Sequence, residues 1–263
     1  VEPQLIIIAL ALAALVGVSL GLLGGGGSIL TVPILTYVLG MPPREAIAAS
    51  LFIVGATSAV SMIGHAKAGR VRWKAGLLFG VAGMAGAFAG GILGGLIPGA
   101  ILMVLFAVMM IVTATAMIRG RKNQAAKSSA AEHTPALARI LLDGFLVGIA
   151  TGLVGAGGGF LIVPALNLLG GLPMAIAVGT SLLVITMKSF AGLSGYLFSV
   201  QLNWPIVLAF TATAIAGSFA GVALAGRVPE RALRKGFGIF VLVVGAFVLV
   251  QELPPLFASL TAA

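Results

Sequence analysis

The sequence predicts an all-α polytopic membrane protein made of two inverted-topology repeats, each with about five apolar helical elements that include a Gly/Pro-broken re-entrant hairpin. Three observations predict it. Of the 263 residues, 60% are hydrophobic and only 8% charged, a balance that belongs in a bilayer. The apolar residues fall into ten runs, several close to the roughly 20 residues a spanning helix needs. Adding 131 to a residue number in the first half also lands on an equivalent residue in the second. Barrel strands would be about 10 residues long with alternating polarity, and these runs do not alternate.

The first run, 4–23, has the length of a signal peptide, but it follows Val1-Glu2 without a basic leader and has a counterpart later in the chain. It is expected to be part of the fold. It leads into Gly21-Leu-Leu-Gly-Gly-Gly-Gly-Ser-Ile-Leu-Thr-Val-Pro33. The run 28–40 that follows would make a helix of only about 20 Å, against a hydrocarbon core of about 30 Å, and Pro33 is expected to interrupt even that. The economical reading is a hairpin that turns at the glycines inside the membrane and leaves on the side it entered. Non-helical backbone at that depth must be buried in protein or line a wet cavity. Runs 44–64, 75–97 and 100–118 read as spans, with Gly86, Gly90 and Gly94 at the four-residue spacing of close helix packing. The polar stretch 119–135 is a linker between repeat one (1–118) and repeat two (136–263). Runs 140–154 and 159–171 repeat the hairpin, and 174–197, 205–226 and 236–251 repeat the spans.

The register survives at residues that composition alone would not match. Val32-Pro33 becomes Val163-Pro164, Ser50-Leu51 becomes Ser181-Leu182, and Ser58, His65, Trp73 and Pro98 become Ser189, Tyr196, Trp204 and Pro229. Charge then orients the halves, because Lys and Arg gather in short cytoplasmic loops. If each repeat crosses an odd number of times, thirteen basic residues share one side and Arg44 stands alone on the other. Parallel repeats would give nine against five. Inversion is therefore expected, with the linker cytoplasmic and both termini periplasmic. Inverted repeats with broken helices are secondary-transporter architecture, with the site near the midplane.

The candidate site follows from that picture. Backbone N–H groups at glycine turns and helix N-termini favour anions, which nominates Gly24, Gly25, Gly26 and Gly27 with Gly155, Gly157, Gly158 and Gly159. These tips are expected to meet near the midplane. Ser28, Thr31 and Asn167 add side-chain donors. Lys188 is the sharpest single residue. A charge near the centre of a span costs about 2.5–3.5 kcal/mol on insertion scales, and its equivalent in the first half is the uncharged Thr57. An ammonium there should face an aqueous cavity or an anion. Thr57, Ser58, Thr180, Ser181, Ser189 and Ser50, at neighbouring or equivalent positions, are expected to cluster around it. His65 and Tyr196, at helix ends, read as interfacial anchors, as do Trp73 and Trp204.

Other chemistry has no support in the residues. The absence of cysteine removes disulfides and thiolate metal sites, and the two histidines fall in or beside loops, so neither a metal nor a cofactor is expected. No hydrolase or phosphate-loop motif appears, and an enzyme is not expected. The net charge of +9 is scattered over loops as a topology signal, so no nucleic-acid partner is expected. The expected partners are a small anion and the lipid bilayer, and a homo-oligomer is compatible with the sequence.

The paired segments GLLGGGGSILTVP and GLVGAGGGFLIVP, each followed by a short run, a proline and a long helix carrying Ser50-Leu51 or Thr180-Ser181-Leu182, resemble those of the TauE/SafE-type sulfite exporters, also called the toluene sulfonate uptake permease family. The resemblance covers nearly the whole chain outside the linker. It implies movement of sulfite, sulfonates, sulfoacetate or related anions across a bacterial inner membrane. The apolar spans hold almost no carboxylates for a proton relay, and an interior-negative potential drives anions outward by about 2.3 kcal/mol per charge per 100 mV. Efflux by uniport is the expected mode. An anion channel and ion-coupled uptake are the alternatives.

Overall fold

The structure is a computed structural model that describes residues 3–25, 27–119, 137–155, 162–163, 166, 172–225 and 230–261. It is 87% helical, and the described residues contain no strand. In chain order the helices are α1 (Pro3–Leu23), α2 (Ser28–Pro33), α3 (Pro43–Lys67), α4 (Trp73–Leu96), α5 (Gly99–Arg119), α6 (Leu137–Val154), α7 (Met174–Tyr196), α8 (Trp204–Leu224) and α9 (Glu230–Thr261). Four of them, α3, α4, α7 and α8, are long and apolar enough to cross a membrane by length and composition. The chain is an all-α polytopic membrane protein.

The glycine stretch ends α1 rather than running through it. Gly24 takes the left-handed conformation (φ 72°) and its N–H bonds the Leu20 carbonyl at 2.9 Å, a glycine cap that satisfies one of the orphan carbonyls of a helix end. The chain then reverses. A Cβ on Gly27 would lie 2.6 Å from the Val16 carbonyl oxygen, so the return arm lies directly on α1. Proline does not break that arm as the sequence suggests. Past Pro33 the helix continues as a π-helical turn, Ile34–Val38, closed by Leu39 N–H to the Ile34 carbonyl at 3.3 Å. Proline lacks the N–H that would bond four residues back, and the wider i to i−5 register absorbs the interruption. In the second half α6 ends in the same way. Gly155 has φ 69° and its N–H bonds Thr151 at 3.1 Å, and Thr151 is the equivalent of Leu20. Most of the second return arm, 159–171, lies outside the described residues. Its closing bond, Leu172 N–H to Leu166 carbonyl at 3.1 Å, matches Met41 N–H to Leu35 carbonyl at 3.0 Å.

The most buried long helices, α3 and α7, cross antiparallel at the centre. A Cβ on Gly55 would lie 3.1 Å from Ser189 Cβ, and one on Gly179 would lie 3.2 Å from His65 Cβ, so positions rise along one helix as they fall along the other. Glycine seams flank the crossing. In the α1/α8 seam, Gly17, Gly21, Gly217 and Gly221 press against the carbonyls of Ala214, Ser218, Ala14 and Val18; in the α6/α4 seam, Gly148, Gly152, Gly86 and Gly90 press against those of Gly83, Ala87, Phe145 and Ile149. Each contact in one seam is the other shifted by 131. Both run in parallel, and both leave no room for a Cβ, as expected where small residues let helices approach closely. Gly86 and Gly90 thus pack as anticipated, while Gly94 faces the Tyr196 hydroxyl. Helix α9 starts at Glu230, so Arg231, Arg234 and Lys235, expected in a loop, belong to a helix that outruns its apolar stretch.

Candidate functional site

The described tip residues, Gly24 and Gly155, do not meet beside Lys188. Gly24 sits against α7, where an added Cβ would be 2.8 Å from Ser181 Oγ and 2.9 Å from the Val178 carbonyl. Gly155 sits against α3, with the Ile47 carbonyl 2.8 Å from such a Cβ and Ser50 Oγ donating to the Gly155 carbonyl at 2.9 Å. Ile47 and Ser50 are the equivalents of Val178 and Ser181. Ser181 and Ser50 are each the eighth residue of their helix, so the described tip residues lie about a third of the way in from opposite ends. The cause is the length of α1. Its 21 residues rise about 31 Å, too far to stop at mid-bilayer.

Among the described residues, seven buried side-chain polar atoms lack a hydrogen-bond partner: Lys188 Nζ, Thr57 Oγ1, Ser58 Oγ, Ser189 Oγ, Thr31 Oγ1, Thr36 Oγ1 and His65 Nδ1. Buried polar groups are normally paired, and a buried ammonium without a counter-charge is the costliest of these to leave alone. Lys188 is 1% exposed. Its stem lies along α4, where a Cβ on Gly83 would be 2.6 Å from its Cδ. The glycine opens the space the long side chain fills. In the other half Ala214 stands at the equivalent of Gly83 and the smaller Thr57 at the equivalent of Lys188. Ser189, next to Lys188, meets Gly55 at the α3/α7 crossing. Lys188 Nζ and the hydroxyls of Thr57, Ser58 and Ser189 are buried donors on the α3 and α7 pair that no described protein group occupies, and such donors suit an oxyanion.

Other nominated residues are already engaged. Ser28 Oγ donates to the Gly25 carbonyl at 2.6 Å, which draws the first tip together. Ser181 Oγ donates to Val178 at 2.7 Å. Thr180 Oγ1 accepts the Arg72 N–H at 2.9 Å, and the equivalent N–H, of Asn203, is bonded by Glu45 at 3.3 Å. These bonds anchor the first turns of α4 and α8. Gly26, Gly157, Gly158, Gly159 and Asn167 lie outside the described residues. Among the described residues no three His, Cys, Asp or Glu side chains gather as metal ligands would.

Two residues correct the sequence reading. His65 and Tyr196 are not interfacial anchors; they are 1% and 0% exposed. His65 Nε2 lies 3.0 Å from the Gly21 carbonyl, which makes that nitrogen the N–H donor, and the Tyr196 hydroxyl donates to the Leu153 carbonyl. Each ties a long helix to the last turn of the hairpin helix in its own half and satisfies a carbonyl freed by the helix ending. Packing against α1 and α6 buries residues whose places beside loops suggested the interface. Trp73 and Trp204 do remain on the surface, 50% and 43% exposed. Thr36, the equivalent of Asn167, was missed although the 131 shift points to it.

The comparisons with known proteins agree with this architecture. The family described as Sulfite exporter TauE/SafE matches residues 9–248. A probable membrane transporter protein of Xylella fastidiosa (strain Temecula1) is 36% identical over 253 residues, covering 94% of this chain and 95% of the relative. The probable membrane transporter protein MJ0441 of Methanocaldococcus jannaschii is 30% identical over 259 residues, covering 91% and 95%. The probable membrane transporter protein YunE of Bacillus subtilis is 27% identical over 262 residues, covering 91% and 95%. No solved structure matches the chain. On the match to nine-tenths of its length, the chain belongs to the TauE/SafE sulfite exporter family of membrane transporters.

Proposed function

We propose that this transporter carries sulfur-containing or organic anions of the sulfite, sulfonate or sulfoacetate type. It exports them by alternating access between two inverted repeats, 1–118 and 136–263, joined by a cytoplasmic linker at 119–135. The observation that carries the anion reading is Lys188, a buried ammonium without a partner in the middle third of a spanning helix. A fixed charge so placed marks a substrate path. Its cost is offset when an anion arrives, and the unpartnered hydroxyls of Thr57, Ser58 and Ser189 are the donors we assign to the oxygens.

The antiparallel crossing of the equivalent helices α3 and α7 supports the inversion, and the two equivalent glycine seams and the matched glycine caps at Gly24 and Gly155 support the repeat itself. The gathering of basic residues on one side supports the cytoplasmic placement of the linker. Gly24 and Gly155 each rest on the long helix of the opposite half, so a rocking of the repeats would move both against α7 and α3. The membrane potential favours outward movement of a net negative charge without a coupling ion. The test is a binding panel on the purified chain in lipid nanodiscs: sulfite, sulfate, methanesulfonate, sulfoacetate and an organic cation. Saturable binding of one or more sulfur anions with no response to the cation is expected. Failure of every anion to bind would refute the reading.

A further inference from the structure

We propose that His65 is a proton-binding site that controls anion loading at the first hairpin tip. The inference rests on the anion reading above and adds a second ligand, the proton, at a place distinct from Lys188.

The argument starts from the two equivalent ties. Tyr196 and His65 do the same structural work, each donating to a carbonyl at the end of a hairpin helix. A phenol is enough for that, and its hydroxyl titrates far above physiological pH. The first half uses imidazole instead, whose second nitrogen, Nδ1, is buried without a partner. A purely structural tie gains nothing from an orphaned acceptor, because a buried unpaired group costs free energy. A proton site needs such a nitrogen. The charges differ in a complementary way. The second half carries Lys188 where the first has Thr57, and the first half carries His65 where the second has Tyr196. Each half therefore places one fully buried basic side chain on its long central helix.

The position fits a loading step. His65 bonds Gly21, three residues before the tip glycine Gly24, and its Cβ packs on Gly179. Gly24 in turn rests on Ser181. Ser181 and Lys188, seven residues apart, share one face of α7 about 10 Å apart along the axis. Along α7 the tip and the imidazole share one level, at Val178 to Ser181, and the ammonium lies farther along the helix. The imidazole bonds the Gly21 carbonyl of α1, its Cβ packs on the uncharged Gly179 of α7, and the loop after α3 brings Arg70 as the one charge acting on it. Gly64, one residue before His65, faces Val222 of α8. None of these is a carboxylate that would hold the ring permanently charged. Protonation on Nδ1 leaves the Nε2 tie in place and adds a charge beside the tip, and an incoming anion supplies the counter-charge. By linkage, proton and anion each strengthen the binding of the other. The sign follows: affinity is highest with His65 protonated and falls as pH rises through its titration.

Selective isotope labelling tests this directly, because His133 is the only other histidine. The full chain carrying H133N, with ¹³C/¹⁵N-histidine in nanodiscs, is titrated from about pH 5 to 9 with and without methanesulfonate, which stays ionised throughout. The expected result is a His65 titration whose midpoint rises by at least about half a unit with the probe, equivalent to about three-fold tighter binding at low pH than at high pH. His65→Tyr, which keeps a donor towards Gly21, should still bind the probe but lose the pH dependence. A ring that stays neutral over the range, a midpoint unmoved by a probe that does bind, or a pH dependence retained in His65→Tyr would each overturn the proposal. If the unaltered chain binds neither methanesulfonate nor any other anion at any pH, the anion reading fails, and this proposal with it.

Discussion

Replacing Lys188 with methionine should make the protein more stable and, at the same time, unable to bind its anion. Lys188 is 1% exposed with no partner for Nζ, so in the empty transporter nothing on the protein offsets the burial of its charge. Insertion scales put that cost at about 2.5–3.5 kcal/mol at the centre of a span. Methionine keeps an unbranched stem to fill the space beside Gly83, so little packing is lost. The expected gain is about 2–3 kcal/mol, seen as a higher midpoint when the protein in mild detergent is unfolded by heat or by titrated SDS and followed by tryptophan fluorescence. Binding of a sulfur anion, measured on the same preparation, should be lost. The two readouts separate the possibilities. A loss of stability would mean that Lys188 is held by a structural partner. A gain of stability with anion binding unchanged would remove Lys188 from the site while leaving its isolation intact.

Further outcomes follow from the same geometry. Gly221→Ala and Gly90→Ala place a Cβ against the carbonyls of Val18 and Ile149 in equivalent seams; each should cost about 1–3 kcal/mol by SDS unfolding, and a large effect in one with none in the other would contradict their equivalence. Tyr196→Phe strips the partner from the Leu153 carbonyl and should cost about 1–3 kcal/mol, with flux in vesicles reduced because the second hairpin is less well held. Ser50→Ala removes the bond to Gly155 and should cost about 1 kcal/mol, whereas Ser189→Ala removes a hydroxyl without a partner and should leave unfolding within about 0.5 kcal/mol of the parent while weakening anion binding.

Much of this fold is legible in the sequence because a bilayer allows few solutions. The apolar runs give the helices, and the glycine stretch at 21–33 gives the reversal, since no long helix crosses it and no unpaired backbone survives in lipid. Lys188 is legible for the same reason: a charge in a span must have a cause. What the sequence does not carry is which neighbour answers which polar group. Ser28, Ser50, Thr180 and Ser181 look as available as Thr57, Ser58 and Ser189, and only packing shows that the first four are already bonded. Depth is the other gap. The length of α1 puts the described tip residues at different levels, a fact that depends on how far the helix penetrates rather than on its composition. His65 and Tyr196 depart from the sequence expectation because a place near a loop suggests water, whereas packing buries both. That both positions carry a long side chain with a polar tip, 131 residues apart, was the available signal for a shared structural role.

The central claim, that the chain moves sulfur-containing anions by a carrier cycle, is tested most directly by flux from proteoliposomes under an imposed potassium diffusion potential. Efflux of sulfite or an organosulfonate should saturate with concentration, accelerate with an interior-negative potential and slow when the potential is reversed. A flux indifferent to that reversal would contradict electrogenic export, and unitary currents would replace the carrier with a channel.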